Sequence, residues 1–118
     1  MSPKLKPVTE QVIVITGASS GIGLVTARMA AKQGAAVVLA ARNEDALKDL
    51  VAEIEGQGGR ATYAVCDVGK QEDIARVVDT AERAFGGFDT WVNNAGISIF
   101  GRLWDVPMDD WHLSLIHI

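Results

Sequence analysis

A chain of 118 residues fits one modest domain with a buried core, and 48% hydrophobic with 22% charged residues is the balance of a soluble globular protein rather than of a disordered one. The net charge of −4 gives no basic footprint for nucleic acid, and no apolar run is long enough for a membrane span or a signal peptide. With one cysteine, Cys66, an internal disulfide and a cysteine-based metal site are both excluded, so a cytoplasmic protein without a metal is expected.

Apolar runs alternate with amphipathic patterns after a polar leader over residues 1–10. Continuous apolar or β-branched runs predict four strands, at 12–15, 36–40, 61–66 and 90–93. Apolar residues at three-and-four spacing predict the helices between them, at 20–33, from an N-cap at Asn43 to Gly56, at about 74–85, and again from near Pro107. Strands that alternate with crossover helices predict an α/β fold with a parallel sheet covered on both faces.

A glycine-rich turn joins the first predicted strand to the first helix. Gly17 permits a tight turn out of the strand, Gly21 lets the backbone approach an anion, and Gly23 lets the helix pack against the sheet. The N-terminus of the helix then offers free N–H groups and a partial positive charge. Together these features predict a site for the pyrophosphate of a dinucleotide. The alternative is a tight connection that binds nothing.

The spacing of these glycines, G-x-x-x-G-x-G, differs from the common dinucleotide fingerprint G-x-G-x-x-G. Together with Thr16, the pair Asp67-Val68, the run Asn-Asn-Ala-Gly over 93–96 and the pair Asp110-Trp111, it resembles the short-chain dehydrogenase/reductase family over residues 11–111. Ser20 stands where the extended branch of that family has glycine, which disfavours that branch. The resemblance implies a Rossmann-type doubly wound parallel sheet with strand order 3-2-1-4, and residues 11–112 would be the N-terminal part of one NAD(P)-binding domain.

The resemblance also implies a function, which is hydride transfer between a nicotinamide cofactor and a carbonyl or secondary alcohol of a small-molecule substrate. The positions implied to bind the cofactor are Gly17, Ser19, Ser20, Gly21, Ile22 and Gly23 at the pyrophosphate and adjoining ribose, Asp67 and Val68 at the adenine, and Asn93, Ala95 and Gly96 on the adenosine side. Asp67 and Asn93 also have other interpretations. Asp67 is a candidate N-cap of the third helix. Asn93 and its neighbour Asn94 could be turn residues at the end of a strand, where buried amides would also link neighbouring strands.

The end of the second strand favours NADP(H) over NAD(H). NAD-preferring relatives usually carry an acid there to bind the ribose 2′-hydroxyl, whereas this chain has Ala41 followed by Arg42. Arg42 also precedes a helix N-terminus, which is already positive, so a bound 2′-phosphate would offset an unfavourable charge. The alternative for Arg42 is a solvated surface cation. Ser20 is neutral at the position where some NADP enzymes carry a basic residue.

No catalytic residue of the family falls within the chain. The reaction needs a tyrosine with a lysine four residues later, whereas the single tyrosine, Tyr63, lies in a predicted strand and is followed at that distance by Asp67. The family pattern ends near Trp111. Under one choice of codons, residues 113–118 translate a transposon end used in sequencing libraries, so we expect a non-native tail joined to the N-terminal half of a longer protein. A native apolar helix end is the alternative.

A chain that ends here would leave its fourth strand as an exposed edge, and we expect such a chain to be poorly stable. Cys66 and Trp91 are predicted to be packing residues without a chemical role. Relatives commonly associate, so a homo-oligomer is compatible with the full-length protein. The alternatives to an oxidoreductase are a non-catalytic NAD(P)-binding or redox-sensing module, and a 118-residue gene product that acts through partners.

Overall fold

The computed structural model describes residues 7–19, 21–67, 69–94 and 114–117. A short 3₁₀ turn, Val8–Glu10, leads into alternating strands and helices. In chain order these are β1 Val12–Thr16, α1 Gly21–Lys32, β2 Ala36–Ala41, α2 Glu44–Gly56, β3 Arg60–Val65, α3 Gln71–Phe85, β4 Thr90–Asn93 and β5 Ser114–His117. The four strands and three helices predicted up to residue 93 are all present, within about four residues at each end.

The strands form one parallel sheet in the order β3-β2-β1-β4-β5. The order predicted for the first four strands is therefore confirmed. Val14 of β1 lies in the sheet centre, beside Val38 of β2 and Trp91 of β4. From β1 the chain moves outward through β2 to β3 and then returns to β4 on the other side of β1. The carboxyl ends of β1 and β4 flank this reversal, which is where open α/β sheets bind ligands.

Helices cover both faces of the sheet, which explains why every residue of β2 is buried. α1 and α2 pack on one face through residues such as Ala27, Leu47 and Ile54. α3 packs on the other face through Ile74, Val77 and Ala81. The apolar stripes at three-and-four spacing in the sequence are therefore the faces that these helices bury.

Two predicted helix boundaries are confirmed, and the predicted cap of the third helix is wrong. The side-chain oxygen of Asn43 accepts a hydrogen bond from the Ala46 N–H at 3.1 Å, as an N-cap does, and α2 ends at Gly56. α3 begins only at Gln71, with Lys70 as its N-cap residue. Asp67 lies too far upstream to cap that helix, and its carboxylate accepts from the Gly69 N–H at 2.9 Å instead.

Trp91 fills the α3 side of the sheet. The residue is fully buried, and its ring meets that of Phe88 edge-on with the ring centroids 5.4 Å apart. Its indole N–H has no hydrogen-bond partner among the described residues. The prediction that Trp91 packs in the core is therefore confirmed.

Strand β5 corrects two expectations about the end of the chain. It pairs with β4 from Thr90↔Ser114 to Asn93↔His117, so β4 is not an edge strand in this structure. Residues 114–117 are also extended rather than the end of a helix. The four-residue segment Ser114–His117 is too short for its periodicity to separate strand from helix, and the backbone groups along the edge of β4 offer such a segment a partner. That these residues are not encoded by the gene stays a prediction.

Other predictions fall on residues outside the described ranges, among them the helix from near Pro107 and the pair Asp110-Trp111. Of the helices that are described, none has both the length and the apolar character needed to cross a membrane.

Candidate nucleotide-binding site

A cleft of about 470 Å³ opens at the carboxyl ends of β1, β2 and β3. It brings together three predicted site regions that are far apart in sequence: the glycine turn, the end of the second strand and the end of the third. Its lining residues are Gly17, Ser19, Ala41, Arg42, Asn43, Cys66 and Asp67. Four of the predicted cofactor-binding residues therefore share one concave surface.

The turn between β1 and α1 adopts a backbone conformation that favours glycine. Gly17 has φ +64° and Gly21 has φ +58°, both in the left-handed region. The Ala18 N–H donates to the Ala40 carbonyl at 3.2 Å, which fastens the turn to the end of β2. The first turn of α1 contains no acidic residue, so the positive end of this helix is not neutralised by its own side chains.

At Gly23 the structure leaves no room for a side chain. A Cβ there would overlap the Gly17 carbonyl and would lie 2.6 Å from Nδ2 of Asn94. The expected reason for this glycine was contact between helix and sheet. The structure gives a more specific reason, because the first turn of α1 packs directly against Gly17 of the glycine turn and against Asn94, which follows β4.

A buried polar network ties the end of β1 to the end of β4. The hydroxyl of Thr16 donates to Oδ1 of Asn93 at 3.1 Å and accepts from the Asn94 N–H at 3.1 Å. Asn94 in turn donates from Nδ2 to the Gly17 carbonyl at 3.3 Å. Thr16 and Asn93 are fully buried. The interpretation of the paired amides as links between strands is therefore confirmed.

The link through Asn94 is more specific than the sequence predicted. Its amide supports the glycine turn itself, and Asn94 was not among the predicted cofactor-binding residues. The available signal was an amide directly after the strand on the far side of the sheet reversal. Asn93 itself is enclosed by this network, so its predicted contact with adenosine stays a prediction. Ser20, Val68, Ala95 and Gly96 lie outside the described residues.

The end of β3 contributes one carboxylate and one inert thiol to the cleft. Asp67 is half-buried, and its backbone N–H donates to the Asp73 carboxylate at 2.8 Å. Cys66 is buried, and burial, together with the carboxylates of Asp73 and Asp67, raises the pKa of its thiol to about 11. The thiol is therefore protonated at neutral pH and is not a nucleophile, as predicted. Within the described ranges, no cluster of three or more metal-ligating side chains occurs.

The end of β2 offers the cleft a cation and no acid. Ala41 is buried and Arg42 is exposed. Among the described residues, no hydrogen bond or ion pair engages the Arg42 side chain. The first turn of α2 carries Glu44 and Asp45, which complement the positive end of that helix. The positive end of α2 beside Arg42 is therefore partly neutralised by these two carboxylates, which weakens the predicted charge conflict at Arg42.

Ile22 and Tyr63 are not among the residues that line the cleft. Ile22 lies in the first turn of α1 with 59% of its surface exposed, and its predicted contact with the cofactor stays a prediction. Tyr63 lies within β3, as predicted, and its hydroxyl donates to Oε2 of Glu44 at 3.2 Å. Tyr63 is therefore a strand residue with a carboxylate partner and not the tyrosine of a Tyr-Lys catalytic pair.

Comparison with known proteins identifies the family. Residues 11–118 match the sequence profile of the short chain dehydrogenases. The chain belongs to the short-chain dehydrogenase family. Over 107 residues it is 61% identical to the uncharacterized oxidoreductase YxnA of Bacillus subtilis strain 168, an alignment that covers 91% of this chain and 30% of that protein. The resemblance drawn from the glycine turn and from residues 93–96 is therefore confirmed.

Two solved short-chain dehydrogenase structures are similar to this one, each with a TM-score of 0.70. L-sorbose reductase from Gluconobacter frateurii, in complex with NADPH and L-sorbose, is 43% identical, with 74% of this chain and 34% of that chain covered. The NADPH-bound short chain oxidoreductase of Pseudomonas aeruginosa PAO1, which has an atypical catalytic centre, is 36% identical, with 75% and 35% covered. The chain thus spans about a third of the length of these relatives.

The packing at Gly23 gives a stability prediction. We expect Gly23→Ala to lower the free energy of unfolding by about 1–3 kcal/mol, because the new methyl group overpacks the contact with the Gly17 carbonyl and Asn94. Urea denaturation followed by circular dichroism measures the change.

The matched control is Gly56→Ala. Gly56 lies in α2 with ordinary helical φ and open space around its Cβ position, so alanine there should leave stability unchanged or raise it by up to about 1 kcal/mol. Equal effects of the two substitutions would contradict the packing described for Gly23.

Proposed function

We propose that residues 11–112 form the nucleotide-binding part of an NADP(H)-dependent reductase or dehydrogenase of a carbonyl or secondary alcohol. The observation that carries the proposal is the composition of the cleft. Residues of a glycine turn, one carboxylate and one guanidinium that has no partner among the described residues line a single concave surface at the carboxyl ends of β1, β2 and β3. These are the groups that a phosphorylated dinucleotide needs at its pyrophosphate, adenine and ribose 2′-phosphate.

The pyrophosphate would bind to the glycine turn and the N-terminus of α1. The donors there are main-chain N–H groups, and a helix without acidic residues in its first turn adds a favourable field for an anion. The residues proposed for this contact are Gly17, Ser19, Ser20, Gly21, Ile22 and Gly23. Gly17 and Ser19 line the cleft, which supports their part of the assignment.

The adenosine would lie toward the ends of β3 and β4. Asp67 lines the cleft and has one carboxylate oxygen hydrogen-bonded to the Gly69 N–H, which supports its proposed role as acceptor for the adenine amino group. Val68 is proposed to lie beside the ring, and Asn93, Ala95 and Gly96 are proposed for the adenosine side.

Arg42 favours NADP(H) as the cofactor. A guanidinium binds phosphate through charge-assisted hydrogen bonds, and Arg42 has no competing partner among the described residues. Ala41 offers no carboxylate to a ribose 2′-hydroxyl. Two similar structures, at 43% and 36% identity, contain NADPH, which supports the same preference for this chain.

When bound, the cofactor donates or accepts the hydride, and the residues described above would bind and orient it. The proton donor is proposed to lie in the part of the protein beyond this chain, as a tyrosine with a lysine four residues later. The same proposal includes a small-molecule substrate, a cytoplasmic location, a homo-oligomeric assembly and a non-native origin for residues 113–118.

The gene itself tests whether the chain is part of a reductase. Resequencing the locus should show a reading frame that continues past Trp111 and encodes a Tyr-x-x-x-Lys sequence. The protein from that frame should oxidise NADPH with at least one member of a panel of small aldehydes, ketones and ketoses. A natural stop codon after Ile118 would contradict the longer protein, and an intact Tyr-x-x-x-Lys protein without activity would favour a nucleotide-sensing module.

Neutralising Arg42 tests the choice of cofactor. Arg42→Gln should weaken NADPH binding about tenfold or more and leave NADH binding nearly unchanged, because only NADPH carries the phosphate that a charge-assisted hydrogen bond would recognise. Fluorescence titration of both nucleotides gives the two dissociation constants.

Lys32→Gln is the matched control, since it removes the same charge from the far end of α1. It should change neither constant. A loss of NADPH affinity that is equal in the two variants would show a nonspecific charge effect, and unchanged affinity in Arg42→Gln would exclude Arg42 as the phosphate ligand.

A further inference from the structure

Within the part of the chain that the structure describes, Arg42 has no ion-pair partner, although an acidic residue lies two positions away. Glu44 begins α2, directly after the N-cap Asn43. An arginine and a glutamate this close on a surface readily form an ion pair, yet Glu44 does not line the cleft that Arg42 and Asn43 line. The Glu44 carboxylate has a different partner in this structure.

The group that engages Glu44 is the hydroxyl of Tyr63. It donates to Oε2 of Glu44 at 3.2 Å. The ring of Tyr63 is half-buried against the core on the side of α1 and α2, and its strand pairs with β2 through Leu39↔Tyr63. The hydroxyl is thus presented from a rigid part of the sheet, while Glu44 has an exposed side chain at a helix end.

The chemistry of the pair fits a lasting hydrogen bond with the tyrosine as donor. Burial, the bond to Glu44 and the charges of Glu44 and Asp45 raise the pKa of Tyr63, and Lys48 opposes this effect. The hydroxyl therefore stays protonated throughout the physiological range. A carboxylate accepts from such a donor without losing its charge.

We propose that Tyr63 is a positioning residue for cofactor selectivity, which holds the Glu44 carboxylate on the β3 side of α2 and so leaves Arg42 open to a 2′-phosphate. The inference rests on the proposed function, since it assigns Tyr63 a role in NADP(H) binding. Without this hydrogen bond, Glu44 would compete with the phosphate for Arg42 and would bring a negative charge toward the cleft. Exposed ion pairs contribute up to about 1 kcal/mol, so the competition should be worth up to about fivefold in affinity.

The test is a double-mutant cycle with Tyr63→Phe and Glu44→Gln. Phenylalanine keeps the packed ring and removes only the hydroxyl, so thermal unfolding of the variant should stay close to that of the parent. The parent, both single variants and the double variant are made in the protein encoded by the longest reading frame that contains the chain. The dissociation constants for NADPH and NADH are measured for each of these four proteins.

Tyr63→Phe should weaken NADPH binding about threefold and leave NADH binding unchanged. Glu44→Gln alone should leave NADPH binding unchanged or strengthen it slightly, and the double variant should recover the parent value, because the freed side chain no longer carries a charge. The threefold loss should also shrink when the salt concentration is raised, since exposed charges are screened.

An unchanged ratio of NADPH to NADH affinity in Tyr63→Phe would overturn the inference. So would a loss that persists in the double variant, because it would mean that the hydroxyl acts on the fold rather than through Glu44. Failure of the proposed function looks different. In that case the parent itself would not favour NADPH, or Arg42→Gln would have no effect, and the inference would fall with it.

Discussion

The backbone leaves the centre of the sheet at Gly17 and enters α1 at Gly21. At Gly23 the packing leaves no room for a Cβ. This constraint packs the first turn of α1 against Gly17 and Asn94, beside the turn residues Gly17 and Ser19 that line the cleft. Asn94, which directly follows β4, donates a hydrogen bond from its side-chain amide to the Gly17 carbonyl. The turn between β1 and α1 is therefore stabilised by the residue after β4, on the other side of the sheet reversal. Its geometry thus depends on the order of the strands.

The N-termini of α1 and α2 differ in their electrostatics. α1 has no acidic residue in its first turn and offers an unscreened positive end. α2 has Glu44 and Asp45 in its first turn, so its own field is largely balanced and the cation at this corner is a side chain, Arg42. This division matches a ligand with two separate anionic groups. One group would be bound by backbone N–H groups and the other by a guanidinium.

Much of the fold could be predicted from the sequence because local patterns and packing agree. The apolar run at 36–40 is buried on both faces as β2, and the stripe that includes Leu47 and Ile54 is the buried face of α2. The cleft residues Gly17, Ser19, Arg42 and Asp67 were all predicted, because glycine spacing and strand ends mark the ligand edge of such a sheet.

The features that were missed depend on contacts between distant segments. The strand β5 forms because β4 has an open edge, and a four-residue run does not indicate which partner it will find. The hydrogen bond from Asn94 to the Gly17 carbonyl forms only when β4 lies beside β1, and the one from Tyr63 to Glu44 forms only when β3 lies next to the start of α2. The cap of α3 was one of two interpretations of Asp67, and it is wrong because α3 begins only at Gln71, after a loop whose length the sequence pattern does not fix.

The central claim is that main-chain N–H groups of the turn between β1 and α1 bind the pyrophosphate of a dinucleotide. Backbone amide chemical shifts, recorded by NMR while NADPH is titrated into the protein, test it most directly. The account predicts the largest changes at Gly17, Ser19, Gly21, Ile22 and Gly23, with small changes at Gly58 and Gly86, two positive-φ glycines that follow α2 and α3 outside the cleft. Saturable NADPH binding that leaves the amides of the turn unshifted, or no binding at all, would contradict it.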